Sequence, residues 1–170
     1  MDKKLLSVRE VTLFGILAAL TFGAKVAMSY LPNIEPVTLF LLVFGGVFGW
    51  KSLFIVYVYV LAEILFYGIG TWNINYLYIW IIPAVAGWLL HRWKNPVLWA
   101  VVAGLFGLLF GLLCAPVDVF IGGVGFAVSK WISGIPFDAA HCAGNFVLVL
   151  LLFNPLRKLT QRLVARSLRG

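Results

Sequence analysis

Six apolar runs separated by short polar breaks leave this chain few ways to fold. The runs fall at about 9–31, 37–50, 53–69, 76–91, 97–115 and 137–156. A run that is apolar on every side has no polar face to give to water, so its solvent is lipid. In lipid each backbone N–H and C=O must find a partner inside the structure, and a helix supplies those partners within one segment. Several runs are shorter than the roughly 20 residues of a full crossing, so tilt or a thin edge of the bundle is expected. With 63% of its residues apolar and only 11% charged, a chain of 170 residues could not hide that surface in a soluble core. The expectation is an all-α membrane protein, one domain over residues 1–170, with six transmembrane helices. The first run has no small-residue cleavage site after it and is expected to stay as a membrane helix.

The net charge of +7 suggests nucleic acid only until the charges are placed. Lys3, Lys4, Arg9, Lys51, Arg92, Lys94, Arg157, Lys158, Arg162, Arg166 and Arg169 fall on one side of the expected spans. Lys25 and Lys130 fall toward the other. Such asymmetry is the positive-inside pattern, and it places both termini in the cytoplasm. Asp2 and Glu10 share that side, whereas Glu35, Glu63, Asp118 and Asp138 lie at or near the outer half. The basic excess therefore sets topology and implies no nucleic-acid partner. The tail after Pro155, with basic residues to Arg169, reads as a stop-transfer anchor or an amphipathic continuation along the inner leaflet.

Within the first run, Gly15, Ala19, Gly23 and Ala27 recur at every fourth position. At about 100° per residue they draw one smooth stripe, which lets another backbone approach closely. The stripe serves either packing inside the chain or docking of a partner. The run stops at Leu31-Pro32, and a polar loop, Asn33-Ile34-Glu35-Pro36, follows.

Three outer clusters carry chemistry. Lys25 and Glu63 are charges inside apolar helices, which need a partner or a wet cavity, and they could pair with each other. Asn73 and Asn75 set amides among the rings of Trp72, Tyr76, Tyr78 and Trp80, a surface suited to a flat organic ligand with polar edges. Asp138, His141 and Asn145 are spaced i, i+3, i+7 and share a helical face, with Asp138 also placed to cap a helix start. The Gly-rich stretch between Pro116 and Pro136 is expected as an outer re-entrant or lid-like segment.

Other functions find no support. The chain lacks a G-x-x-x-x-G-K-[ST] phosphate loop, an H-E-x-x-H metal helix and a G-x-S-x-G nucleophile elbow. Cys114 and Cys142 lie in apolar segments and suggest neither a disulfide framework nor a thiolate metal site. No inverted repeat of the secondary-transporter kind is visible. A non-enzyme with no metal and no cofactor is expected.

Six short helices, the small-residue ladder and the LPNIEP, WNINYLYIW and GIPFDAAH segments resemble the substrate-binding S component of energy-coupling factor (ECF) vitamin transporters. The resemblance covers essentially the whole chain. It implies a vitamin bound from outside, cobalamin first, with a pyridoxine- or hydroxymethylpyrimidine-type vitamin or riboflavin as alternatives. It implies a site at Asn33, Glu35, Trp72, Asn73, Asn75, Tyr76, Asp138, His141 and Asn145. Its partners would be a transmembrane coupling subunit and two ATPase subunits in the cell membrane. Docking would use Gly15, Ala19, Gly23 and Ala27, where the family usually shows Ala-x-x-x-Ala. A membrane scaffold and a stand-alone carrier are the readings from other classes.

Overall fold

The computed structural model describes residues 6–31 and 33–167. The charges at Asp2, Lys3, Lys4 and Arg169 and the break at Pro32 lie outside the described residues. Among those described the chain is helical and contains no strand. It runs α1 (Val8–Ala27), α2 (Val37–Phe48), a 3-10 turn (Gly49–Lys51), α3 (Ser52–Tyr67), α4 (Trp72–Ile79), α5 (Ile81–Leu89), α6 (Pro96–Leu108) and α7 (Phe110–Ser167). Three stretches are long and apolar enough to cross a membrane: Val8–Ala27, Val37–Tyr67 and Pro96–Arg166. The second breaks at Gly49 and the third at Gly123, both at positive φ.

Local chemistry sets these boundaries. Ser7 caps α1 in a reciprocal box, accepting from the Glu10 N–H at 3.2 Å while its own N–H donates to the Glu10 carboxylate at 2.9 Å. Asn95 caps α6, accepting from the Val97 N–H at 2.9 Å with Pro96 in the first turn. α3 ends at Gly68, whose φ of 84° carries no steric penalty. Pro83 has no N–H for the Ile79 carbonyl, and α4 parts from α5 at Trp80.

The stretch from Pro116 to Pro136 corrects the expectation of a re-entrant or lid-like segment. It is helical except at Gly123 (φ 81°), where the chain reverses. α6 and the start of α7 run up one side, and the rest of α7 returns antiparallel beside them. Gly107 meets His141 and Cys142, Gly111 meets Asp138, and Lys130 reaches Asp118 at 2.5 Å. Pro and Gly, which punctuate soluble chains, are tolerated in membrane helices whose neighbours re-satisfy the backbone.

Small residues do bring helices together inside the chain, but not on α1. A Cβ on Gly45 would lie 2.0 Å from the Ala84 carbonyl oxygen, and one on Gly87 would lie 2.3 Å from that of Leu42. Only glycine permits this contact of α2 with α5. α1 packs along α3, and α2 also packs on α7. The core holds Phe14, Leu41, Phe44, Ile55, Trp99 and Phe153, with the last two rings stacked at 4.4 Å.

Charge separates along the bundle. At one end Lys51 pairs with Glu10 at 2.5 Å, and Arg157 donates to the His91 and Trp93 carbonyls at 2.5 and 3.2 Å. At the other end lie Lys25 with Glu63, Lys130 with Asp118, and Glu35 with His141.

A candidate ligand site at one end of the bundle

Three adjoining chambers open among these elements, and Tyr76 borders all of them. The first, about 240 Å³, is walled by Lys25 and Ser29 of α1 and its turn, Asn33 and Glu35 of the loop, Trp80, Phe110 and His141. The second, about 420 Å³, lies between Trp72 and Asn75 on one side and Asp118, Lys130, Trp131 and Phe137 of the hairpin on the other. The third, about 210 Å³, is bounded by Lys25, Glu63, Tyr67 and Trp72.

The loop owes its shape to two residues. Asn33 takes φ 56°, a left-handed conformation that asparagine tolerates better than most residues. Glu35 then turns back on the start of α2, accepting from the Val37 N–H at 2.6 Å and the Thr38 hydroxyl at 3.2 Å. A carboxylate is favoured at the otherwise unpaired N–H groups of a helix start. The same carboxylate meets His141 Nε2 at 3.2 Å. His141 in turn packs edge-on against Phe110, with ring centres 5.0 Å apart. Ile34 sits against Gly144, where a Cβ would stand 3.0 Å from its side chain, so the loop is seated on α7.

Lys25 and Glu63 do pair, with Glu63 1% exposed. The Lys25 ammonium also stands 5.3 and 5.4 Å from the ring centres of Tyr67 and Tyr76. Opposite charge and two aromatic faces together hold a cation that lipid alone would reject.

The expected site residues divide into three groups. Asn33, Glu35, Tyr76 and His141 share the first chamber, and Trp72, Asn75 and Tyr76 share the second. Asn75 accepts from the Tyr78 hydroxyl at 2.9 Å. Asn73 folds back to accept from the Gly70 N–H at 2.5 Å and lines none of the three chambers. Asp138 accepts from the Gly111 N–H at 3.1 and 3.2 Å, joining the two legs of the hairpin. Asn145 lies deeper, donating to the Thr38 hydroxyl at 3.2 Å and the Ala103 carbonyl at 3.3 Å. Asp138 and Asn145 hold the walls and do not line the chambers. The Lys25–Glu63 pair, Trp80, Phe110 and Trp131 also line the chambers. Charges in apolar runs marked the first two and the amide-flanked aromatic run marked Trp80; nothing in the sequence distinguished Phe110 and Trp131 from ordinary core.

The α1 stripe faces outward. Ala19, Gly23 and Ala27 are exposed and Gly15 is half-buried. A Cβ on Gly15 or Gly23 would meet nothing within 4 Å. No group of three His, Cys, Asp or Glu side chains that could hold a metal ion occurs among the described residues. No family model, curated protein or solved structure matches the chain.

Proposed function

We propose that this chain is the solute-capture subunit of an ECF-type importer, a multi-pass protein of the cell membrane. It crosses the membrane six times with both termini in the cytoplasm, binds a vitamin-like molecule from outside and passes it on by docking to a coupling subunit. The observation that carries the proposal is the first chamber. It combines a carboxylate, an imidazole, an ammonium and three aromatic rings at the bundle end opposite the basic residues. Concave, ring-lined spaces with a few converging polar groups are the usual form of a small-molecule site. Excess Lys and Arg at the other end supports the orientation. The outward stripe of α1 supports docking, because a partner helix could approach its backbone unobstructed. The two ATPase subunits would act through the coupling subunit, since the chain has no nucleotide loop of its own.

Size bears on which vitamin is carried. A pyridoxine- or pyrimidine-type ring suits the first chamber alone, with Tyr76, Trp80 and Phe110 about it. The corrinoid expected from the sequence would have to occupy all three chambers, with Tyr76 turned aside from their junction. Riboflavin falls between these cases.

Native mass spectrometry of the chain purified from cells tests the capture reading. It should show one organic molecule per chain, released on unfolding and absent from a Glu35→Ala/His141→Ala variant. A chain that carries no such molecule, and binds none from a panel of water-soluble vitamins, has another function.

A further inference from the structure

The second chamber contains an ion pair whose partners are unequally buried. Asp118, on the leg of α7 before Gly123, has a side chain 5% exposed. Lys130, on the leg after Gly123, meets it at 2.5 Å and is 52% exposed. The Lys130 ammonium also stands 5.8 Å from the centre of the Phe126 ring. Both charges wall the same 420 Å³ chamber as the rings of Trp72, Tyr76, Phe110, Trp131 and Phe137.

The two partners differ in what they can exchange. A buried carboxylate needs a cation or several donors beside it, and burial leaves Asp118 little access to water. Lysine is a hydrated point charge on a flexible stem, and half of Lys130 already faces solvent. Asp118 is therefore the fixed member of the pair and Lys130 the replaceable one. Aromatic faces attract cations through the ring quadrupole, so a carboxylate among five rings selects positive charge carried on an apolar body. With Lys130 withdrawn, Asp118 is the only charged side chain left in the chamber lining, and it repels anions.

We infer that the second chamber is a binding site for an organic cation, in which Lys130 is an internal occupant that the ligand displaces from Asp118. The inference rests on the capture reading and names the charge class of the captured molecule. Neither Asp118 nor Lys130 belongs to the site set expected from the sequence.

Calorimetry on the full chain in lipid nanodiscs, with empty nanodiscs as the partition control, tests it with three probes. Benzyltrimethylammonium is the cation, benzyl alcohol the neutral compound and phenylacetate the anion. The cation should bind at least about tenfold more tightly than the other two. Asp118→Asn should remove that preference. Lys130→Gln removes the competing ammonium and should tighten the cation by about fivefold or more, whereas Lys130→Arg, which grips the carboxylate through two N–H groups, should weaken it. A pair that only staples the hairpin gives no such opposed responses. The double variant Asp118→Asn/Lys130→Gln leaves no buried charge alone and should show no cation preference even where a single variant fails to fold. Equal binding of the three probes, no binding by the cation, a cation preference retained in the double variant, or cation affinity unchanged or lowered in Lys130→Gln would overturn the site. If the purified chain carries a neutral or anionic organic molecule and shows no cation preference, capture stands and only the cation site falls.

Discussion

Asn145 and His141 lie one turn apart on α7 and have different tasks. Asn145 ties α7 to Thr38 of α2 and Ala103 of α6, away from the chambers, while His141 borders the first chamber and meets Glu35. Asn145→Leu should therefore lower stability by about 1–3 kcal/mol, leaving the Thr38 hydroxyl short of a partner, with little change in affinity. His141→Ala should do the reverse, weakening ligand binding by about 5- to 150-fold while the unfolding temperature in detergent moves little. Thermal unfolding and calorimetry on both variants separate the two roles. An Asn145→Leu chain of normal stability and weakened affinity would contradict the assignment. Sequence spacing placed both side chains on one helical face but could not tell their depths, because burial depends on which helix covers that face. The same limit hid Phe110 and Trp131 as chamber walls. An aromatic residue in an apolar helix looks like core until the neighbouring helices leave a space beside it. Lys25 and Glu63 were legible, since a charge in hydrocarbon needs a reason wherever it sits.

α1 and α5 carry small residues to opposite ends. On α5, Gly87 lets α2 approach until no Cβ would fit, whereas on α1 Gly15, Ala19, Gly23 and Ala27 point away from the chain's own helices. Gly87→Leu should cost about 1–3 kcal/mol or more through overpacking and appear as a lower unfolding temperature or loss of the folded protein. Ala19→Trp should leave stability and ligand affinity unchanged and abolish co-purification with the coupling subunit. If Ala19→Trp assembles normally, the stripe faces only lipid. Hydropathy alone found the helical runs, because an apolar segment in lipid has no alternative to the helix. Proline and charge found the breaks near Pro36, Lys51 and Asn95 for the same reason. Between Pro116 and Pro136 the expected re-entrant or lid-like segment is instead a helical hairpin. There the antiparallel leg of the hairpin supplies the packing, and only Gly123 leaves the helical conformation.

At the scale of the whole molecule, charge is divided between the two ends of the bundle. Arg9, Lys51 and Arg157 belong to one end with the α2–α3 turn and the α5–α6 loop. Lys25, Glu35, Glu63, Asp118, Lys130 and His141 surround the chambers at the other. Sorting of this kind is visible in a sequence because each charge is tied to a hydropathy break. Which helices then enclose a cavity is not visible, since that depends on contacts such as Gly45 with Ala84 and Glu35 with His141. The central claim is that this chain captures a solute and does not carry it across by itself. Purified chain in sealed liposomes, incubated with the labelled molecule found bound to it, measures both properties in one time course. The account predicts rapid binding that saturates at one molecule per outward-facing chain and then stays flat. Accumulation beyond that stoichiometry would make the chain a carrier in its own right, and the absence of saturable binding would leave it without a capture role.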